Sequence, residues 1–162
     1  NMFKKGIAAV AAAAAVLLLA SCSLLESDAP RDDSGQVTEA TTISVFKLQK
    51  GDCFDAASMG AGEVNTVKVI PCDEPHDSEI FAEKTLTGSS FPGDSAIQEE
   101  ADEFCYGEFE PFVGISYDDS LHYFYSLTPT QGSWDQDNDR LVQCIIESET
   151  GEISHSLKGA AN

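Results

Sequence analysis

Positive charge is scarce in this chain. Nine Lys and Arg stand against 28 Asp and Glu over 162 residues, a net charge of −19 with His neutral. Such a surface repels the phosphates of nucleic acid and of anionic lipid head groups, so no nucleic-acid partner is expected. C-x-x-C pairs are absent, which argues against a zinc cluster and against a thioredoxin-like dithiol centre. So is G-x-S-x-G, the strand-to-helix elbow of a hydrolase serine. A bilayer-length apolar segment is also missing. The longest apolar run, Gly6–Ala20, has 15 residues. As a helix it would reach about 22 Å, short of a hydrocarbon core of about 30 Å.

That run reads instead as the apolar region of a signal peptide, with Lys4 and Lys5 before it. It ends in Leu19-Ala20-Ser21-Cys22, the pattern of a lipobox. Small residues let the backbone enter a peptidase site, and the thiol accepts a diacylglyceryl group. Residues 1–21 are therefore expected to be a lipoprotein signal peptide, with Cys22 lipidated after cleavage. The alternatives are an ordinary secretory signal cut near Ala20 and a retained membrane helix. Spacing from charge through apolar run to cysteine favours the lipoprotein. Each buried CH₂ contributes about 0.8 kcal/mol, so two acyl chains would give stable anchoring on the membrane. The expected location is the extracytoplasmic face of the cell membrane. Nine basic residues less Lys4 and Lys5 leave seven against 28 acidic ones, a mature net charge of −21.

Four further cysteines remain: Cys53, Cys72, Cys105 and Cys144. An even number outside the cytosol suggests two disulfides. Four cysteines allow three connectivities, and counting does not choose among them. The expected pairs are Cys53–Cys72, which would clip neighbouring strands, and Cys105–Cys144, which would pin a helix to a later strand.

Residues 22–42 are rich in Ser, Asp, Glu, Thr and Gly and read as the lipidated cysteine followed by a disordered linker. Residues 43–159 have the pattern of one small domain. Ile43–Leu48, Asn65–Ile70, His122–Leu127 and Arg140–Glu147 read as strands, as does Glu79–Leu86, whose pattern would also permit a helix, and Glu152–Leu157 reads as a short edge strand. Ser95-Ala-Ile-Gln98 fits a capping box. Behind it Ile97, Ala101, Phe104, Cys105, Phe109 and Phe112 share one helical stripe, and Pro111 and Gly114 should end the helix. Gln131–Asn138 reads as a turn carrying Trp134. Strands, one helix, then strands suggest an α+β fold: an antiparallel sheet with one main helix on a face, stapled by two disulfides.

Several elements recur in a recognisable order. Gly51-Asp-Cys-Phe54 follows a first strand, and Val69-Ile-Pro-Cys-Asp-Glu-Pro-His-Asp-Ser-Glu79 follows the next. Phe91-Pro-Gly-Asp94, Cys105, Phe109, Val113-Gly114, Trp134 and Leu141-Val-Gln-Cys144 come after. This set resembles the septum formation domain family of actinobacteria, small extracytoplasmic domains on lipoproteins or membrane-anchored proteins. The similarity runs from about Val45 to Leu157. It implies a link to the division septum and brings no catalytic residues with it. The four domain cysteines match those usual in the family, which supports the pairing above. The Asp135–Asp139 loop and Pro111 depart from it locally.

Pro75-His76-Asp77-Ser78-Glu79 offers a ligand site, His76 leading with Asp77 or Glu79 assisting. A turn in which His76 bonds backbone carbonyls and braces Cys72 is the preferred reading. Asp135-Gln-Asp-Asn-Asp139 starts like an EF-hand loop, but Arg140 and Ile146 stand where glycine and glutamate are needed. Neither Asp118-Asp119 nor Asp52 with Asp55 shows the contrasting environments that acid–base work requires. Tyr106, Tyr117, Tyr123, Phe124, Tyr125 and Trp134 are expected mostly in the core. The expected function is a non-enzymatic binding or scaffold module at the cell envelope, with a protein or cell-wall partner and neither cofactor nor metal. The alternative is an extracytoplasmic sensor of a metal or small ligand.

Overall fold

A computed structural model describes residues 28–62 and 64–162. The leader, the lipobox and Cys22 lie outside the described residues. Six antiparallel strands form one curled sheet: β1 (Thr41–Ser44), β2 (Cys53–Phe54), β3 (Thr66–Ile70), β4 (Ser78–Thr85), β5 (Tyr123–Leu127) and β6 (Leu141–Glu147). Their order across the sheet is β1-β3-β2-β4-β6-β5. Helix α1 (Asp94–Val113) packs on one face, and a short helix α2 (Gln131–Gln136) precedes β6. The α+β architecture and both expected disulfides, Cys53–Cys72 and Cys105–Cys144, are present.

Alternation along β6 divides the core in two. Val142, Cys144 and Ile146 join Ile97, Ala101, Cys105, Phe109 and Val113 of α1, while Ile145 joins Ile43, Phe54, Val67, Val69 and Ile80 in a second cluster. Pairing of β4 with β6 slips between Ile80 and Ala82. This bulge gives Phe81 and Ala82 to the α1 side in succession, as an extra residue in a ladder does. Phe81 then meets Phe109 edge-on, with ring centroids 6.0 Å apart.

Several local expectations are corrected. The segment 28–42 is not a linker. Arg31 and Val37 form a bridge, Ala29 and Val37 are buried in the second cluster, and the Arg31 guanidinium donates to both Asp52 carboxylate oxygens at 2.6 and 2.9 Å. Its polar composition hid two small apolar anchors and one charge that fits a buried partner. The capping box at Ser95 does not form. The helix starts at Asp94 behind Gly93, whose φ is 101°, and Gln98 donates to Asp102 and Ser126 instead. Pro111 lies inside the last turn, and the helix ends at Gly114, where φ is 92°. A left-handed residue there is the usual helix stop. The C-terminal tail completes that end: Gly159 and Ala161 N–H groups donate to the Phe112 and Val113 carbonyls.

Residues 131–136 are helical, capped by Thr130 and Ser133 reciprocally. Residues 45–47 turn as a 3₁₀ helix after β1. Of the expected edge strand 152–157, only the bridge between His76 and Ile153 exists.

Candidate functional site

That bridge builds the most unusual polar environment in the fold. His76 N–H donates to Ile153 O and Ile153 N–H returns to His76 O, at 2.9 and 2.8 Å. The chain after Ile153 is thereby laid over the start of β4, and Leu157 is buried against α1. Ser156 and Leu157 arrive at Glu79, 77 and 78 residues away in sequence. The Ser156 hydroxyl donates to both carboxylate oxygens, at 2.7 and 3.0 Å, and the Leu157 N–H donates to one at 3.0 Å.

Glu79 is only 5% exposed. Burial pushes its carboxyl above the ordinary glutamate range, because the charged form loses water. The Ser156 and Leu157 donors, then the charges of His76 and Lys158, pull the other way without cancelling that rise. Strand β2 lies beside it, and the β2–β4 register sets Cys53 directly opposite Glu79. The Cys53–Cys72 sulfurs and a Glu79 oxygen all lie within 4.8 Å of one another. Among the described residues this is the one trio with metal-ligand spacing. Its sulfurs are joined to each other, so it has no thiolate to offer a metal. A cleft of about 620 Å³ opens over it, lined by Cys72, Glu79, Ser156, Lys50, Lys158 and Glu108, among others.

The three residues read from sequence as a ligand set take separate partners. His76 is fully buried, and its Nδ1 donates to the Glu74 carbonyl at 2.7 Å, the backbone bond expected for a turn. Its Nε2 is enclosed without a hydrogen-bond partner. Asp77 Oδ1 accepts from the Ala56 N–H and the Ser78 hydroxyl, both at 2.8 Å. Glu79 alone reaches the cleft. Sequence reading missed Ser156, Lys158 and Lys50, since residues that meet only through the docked tail share no spacing.

The Asp135–Asp139 loop lies beside a second cleft, of about 810 Å³. Asp139 accepts from the Ser133 hydroxyl at 2.9 Å and the Leu141 N–H at 3.1 Å, closing its own turn. Arg140 stacks 3.6 Å over the Trp134 ring. Tyr123, at the sheet edge, donates its hydroxyl to Glu147 at 2.6 Å, which with burial holds its phenol up at about 12.

Among the described residues, no helix is long and apolar enough to cross a membrane. No curated protein and no solved structure matches the chain. One family profile, described as septum formation, matches residues 22–161, and the chain therefore belongs to the septum formation family.

Proposed function

We propose that this protein is a lipid-tethered, non-enzymatic binding or scaffold module on the outer face of the cell membrane, acting in septum formation. Family membership across residues 22–161 is the observation that carries the reading. Two further features support it. Disulfides form and persist in oxidising compartments, and this fold closes two of them. The leader and Leu19-Ala20-Ser21-Cys22 supply a route out of the cytosol and a place for the lipid. The partner is a protein or wall component at the division site.

The test is localisation of an export-compatible fluorescent fusion in dividing cells. A focus at midcell, with label in the membrane fraction, is the expected result. The Cys22→Ser variant should lose the processed, membrane-bound form. Uniform surface label through the division cycle would overturn the septal role. Membrane retention of processed Cys22→Ser protein would overturn the lipid tether.

A further inference from the structure

The two disulfides of this fold sit in opposite environments. Cys105 and Cys144 are both completely enclosed between α1 and β6. Cys53 is equally enclosed, but its partner Cys72 is partly exposed and lines the cleft above Glu79. A nucleophile arriving from solvent therefore has one sulfur to attack, Cys72 Sγ. Thiol–disulfide exchange depends on access, on which sulfur is attacked and on how readily the other leaves. Here the leaving sulfur is Cys53 Sγ. It lies beside a carboxyl that the Ser156 hydroxyl and Leu157 N–H hold in place.

We propose that Cys53–Cys72 is a thiol–disulfide exchange site for a protein dithiol, with Glu79 as proton donor to the departing Cys53 sulfur. One thiolate of the dithiol attacks Cys72 Sγ. The Sγ–Sγ bond breaks, its electron pair leaves on Cys53 Sγ, and that sulfur takes the Glu79 proton. The second thiolate of the dithiol then attacks its own chain's sulfur in the mixed disulfide. Cys72 leaves as a thiolate and takes a proton from water, and solvent reprotonates Glu79. Two electrons have passed from the dithiol, now a disulfide, to Cys53 and Cys72, now thiols.

The cleft places two cationic side chains where a thiolate would enter. Lys50 and Lys158 line it, against Glu108 and Glu79, on a chain whose net charge is otherwise strongly negative. Electrons can enter without a C-x-x-C motif because strand pairing, not local spacing, assembles the site. The inference does not depend on the septal role.

Dithiothreitol, as a small dithiol, tests it on the folded, oxidised full-length protein. Differential alkylation and peptide mapping read each cysteine, and near-ultraviolet circular dichroism monitors the fold. Thiols at Cys53 and Cys72 should appear while Cys105 and Cys144 stay oxidised and the fold persists. Glu79→Gln should slow the reaction about a hundredfold at low pH, the lower end for a positioned general acid. The ratio of wild-type to variant rates should fall toward one as pH rises and Glu79 loses its proton. A purely structural role would leave that ratio flat.

Ser156→Ala provides a second variant should Glu79→Gln not fold. Losing the hydroxyl donor should move the bend in the pH–rate profile upward. Reduction of both disulfides together, reduction of Cys53–Cys72 only on unfolding, or an unmoved profile in both variants would overturn the proposal.

Discussion

Replacing Arg31 with methionine tests whether the segment before β1 belongs to the folded unit. The Arg31 side chain is 12% exposed and that of Asp52 only 2%. Two parallel N–H···O bonds join them, and the Arg31 N–H groups reach the Gly35 carbonyl and Asp28 as well. Methionine keeps the aliphatic stem and removes the charge. Asp52 is then left buried with the Gln49 N–H, at 2.9 Å, as its remaining donor in this cluster. Removing one partner of a buried pair costs about 3–5 kcal/mol, since the other charge stays uncompensated. The residual Gln49 bond and the partial exposure of Arg31 put this case at the lower end, about 3 kcal/mol. For a domain of this size that lowers Tm by roughly 10 °C. Urea unfolding at pH 7 measures it directly as a fall in midpoint. Arg31→Met with Asp52→Asn should recover most of the loss, because asparagine can still accept from Gln49 without a buried charge. A change below about 1 kcal/mol, the level of an exposed pair, would refute the reasoning.

Cys105→Ala with Cys144→Ala opens a loop of 39 residues in the core, and the chain-entropy argument puts the loss at about 4 kcal/mol by the same urea assay. Trp134 is the single tryptophan, so Arg140→Ala should change its fluorescence and cost about 1–2 kcal/mol through the lost stacking and backbone bonds. Tyr123 and Tyr125, both pushed up to about 12, should remain protonated at pH 11 in an ultraviolet titration; hydrogen bonding to Glu147 leads for Tyr123 and burial for Tyr125. Glu79 has a folded value raised above its unfolded one. Its contribution to stability is therefore complete below the unfolded value and is lost as pH rises through the folded value. Unfolding curves should show Glu79→Gln gaining on wild type from about pH 4.5 upward.

Where the fold obeys periodicity, the sequence carried it. Val67 and Val69 alternate with Lys68 as a half-buried strand does, and Ile97, Ala101, Cys105 and Phe109 repeat at helical spacing, so β3 and α1 were legible. Cys105 was legible as a core position because it falls on the apolar stripe, while the choice of pairing drew its support from the family resemblance. What escaped were features decided by distant partners. Ala29, Arg31 and Val37 look like linker residues until Asp52 and the second cluster supply their contacts. Ser95 has the chemistry of a cap, yet Gly93 takes the positive φ that starts the helix. His76 was legible as a turn residue bonded to a carbonyl, whereas Glu79 gained its buried setting only from Ser156 and Leu157. No short-range pattern encodes a meeting across 77 residues.

The most direct measurement for the account as a whole is the mass of the protein recovered from cell membranes without reductant, after alkylation of free thiols. A chain beginning at an acylated Cys22, with Cys53, Cys72, Cys105 and Cys144 all unalkylated, is the expected result. An unprocessed leader, or alkyl groups on Cys105 and Cys144 of freshly isolated protein, would contradict it.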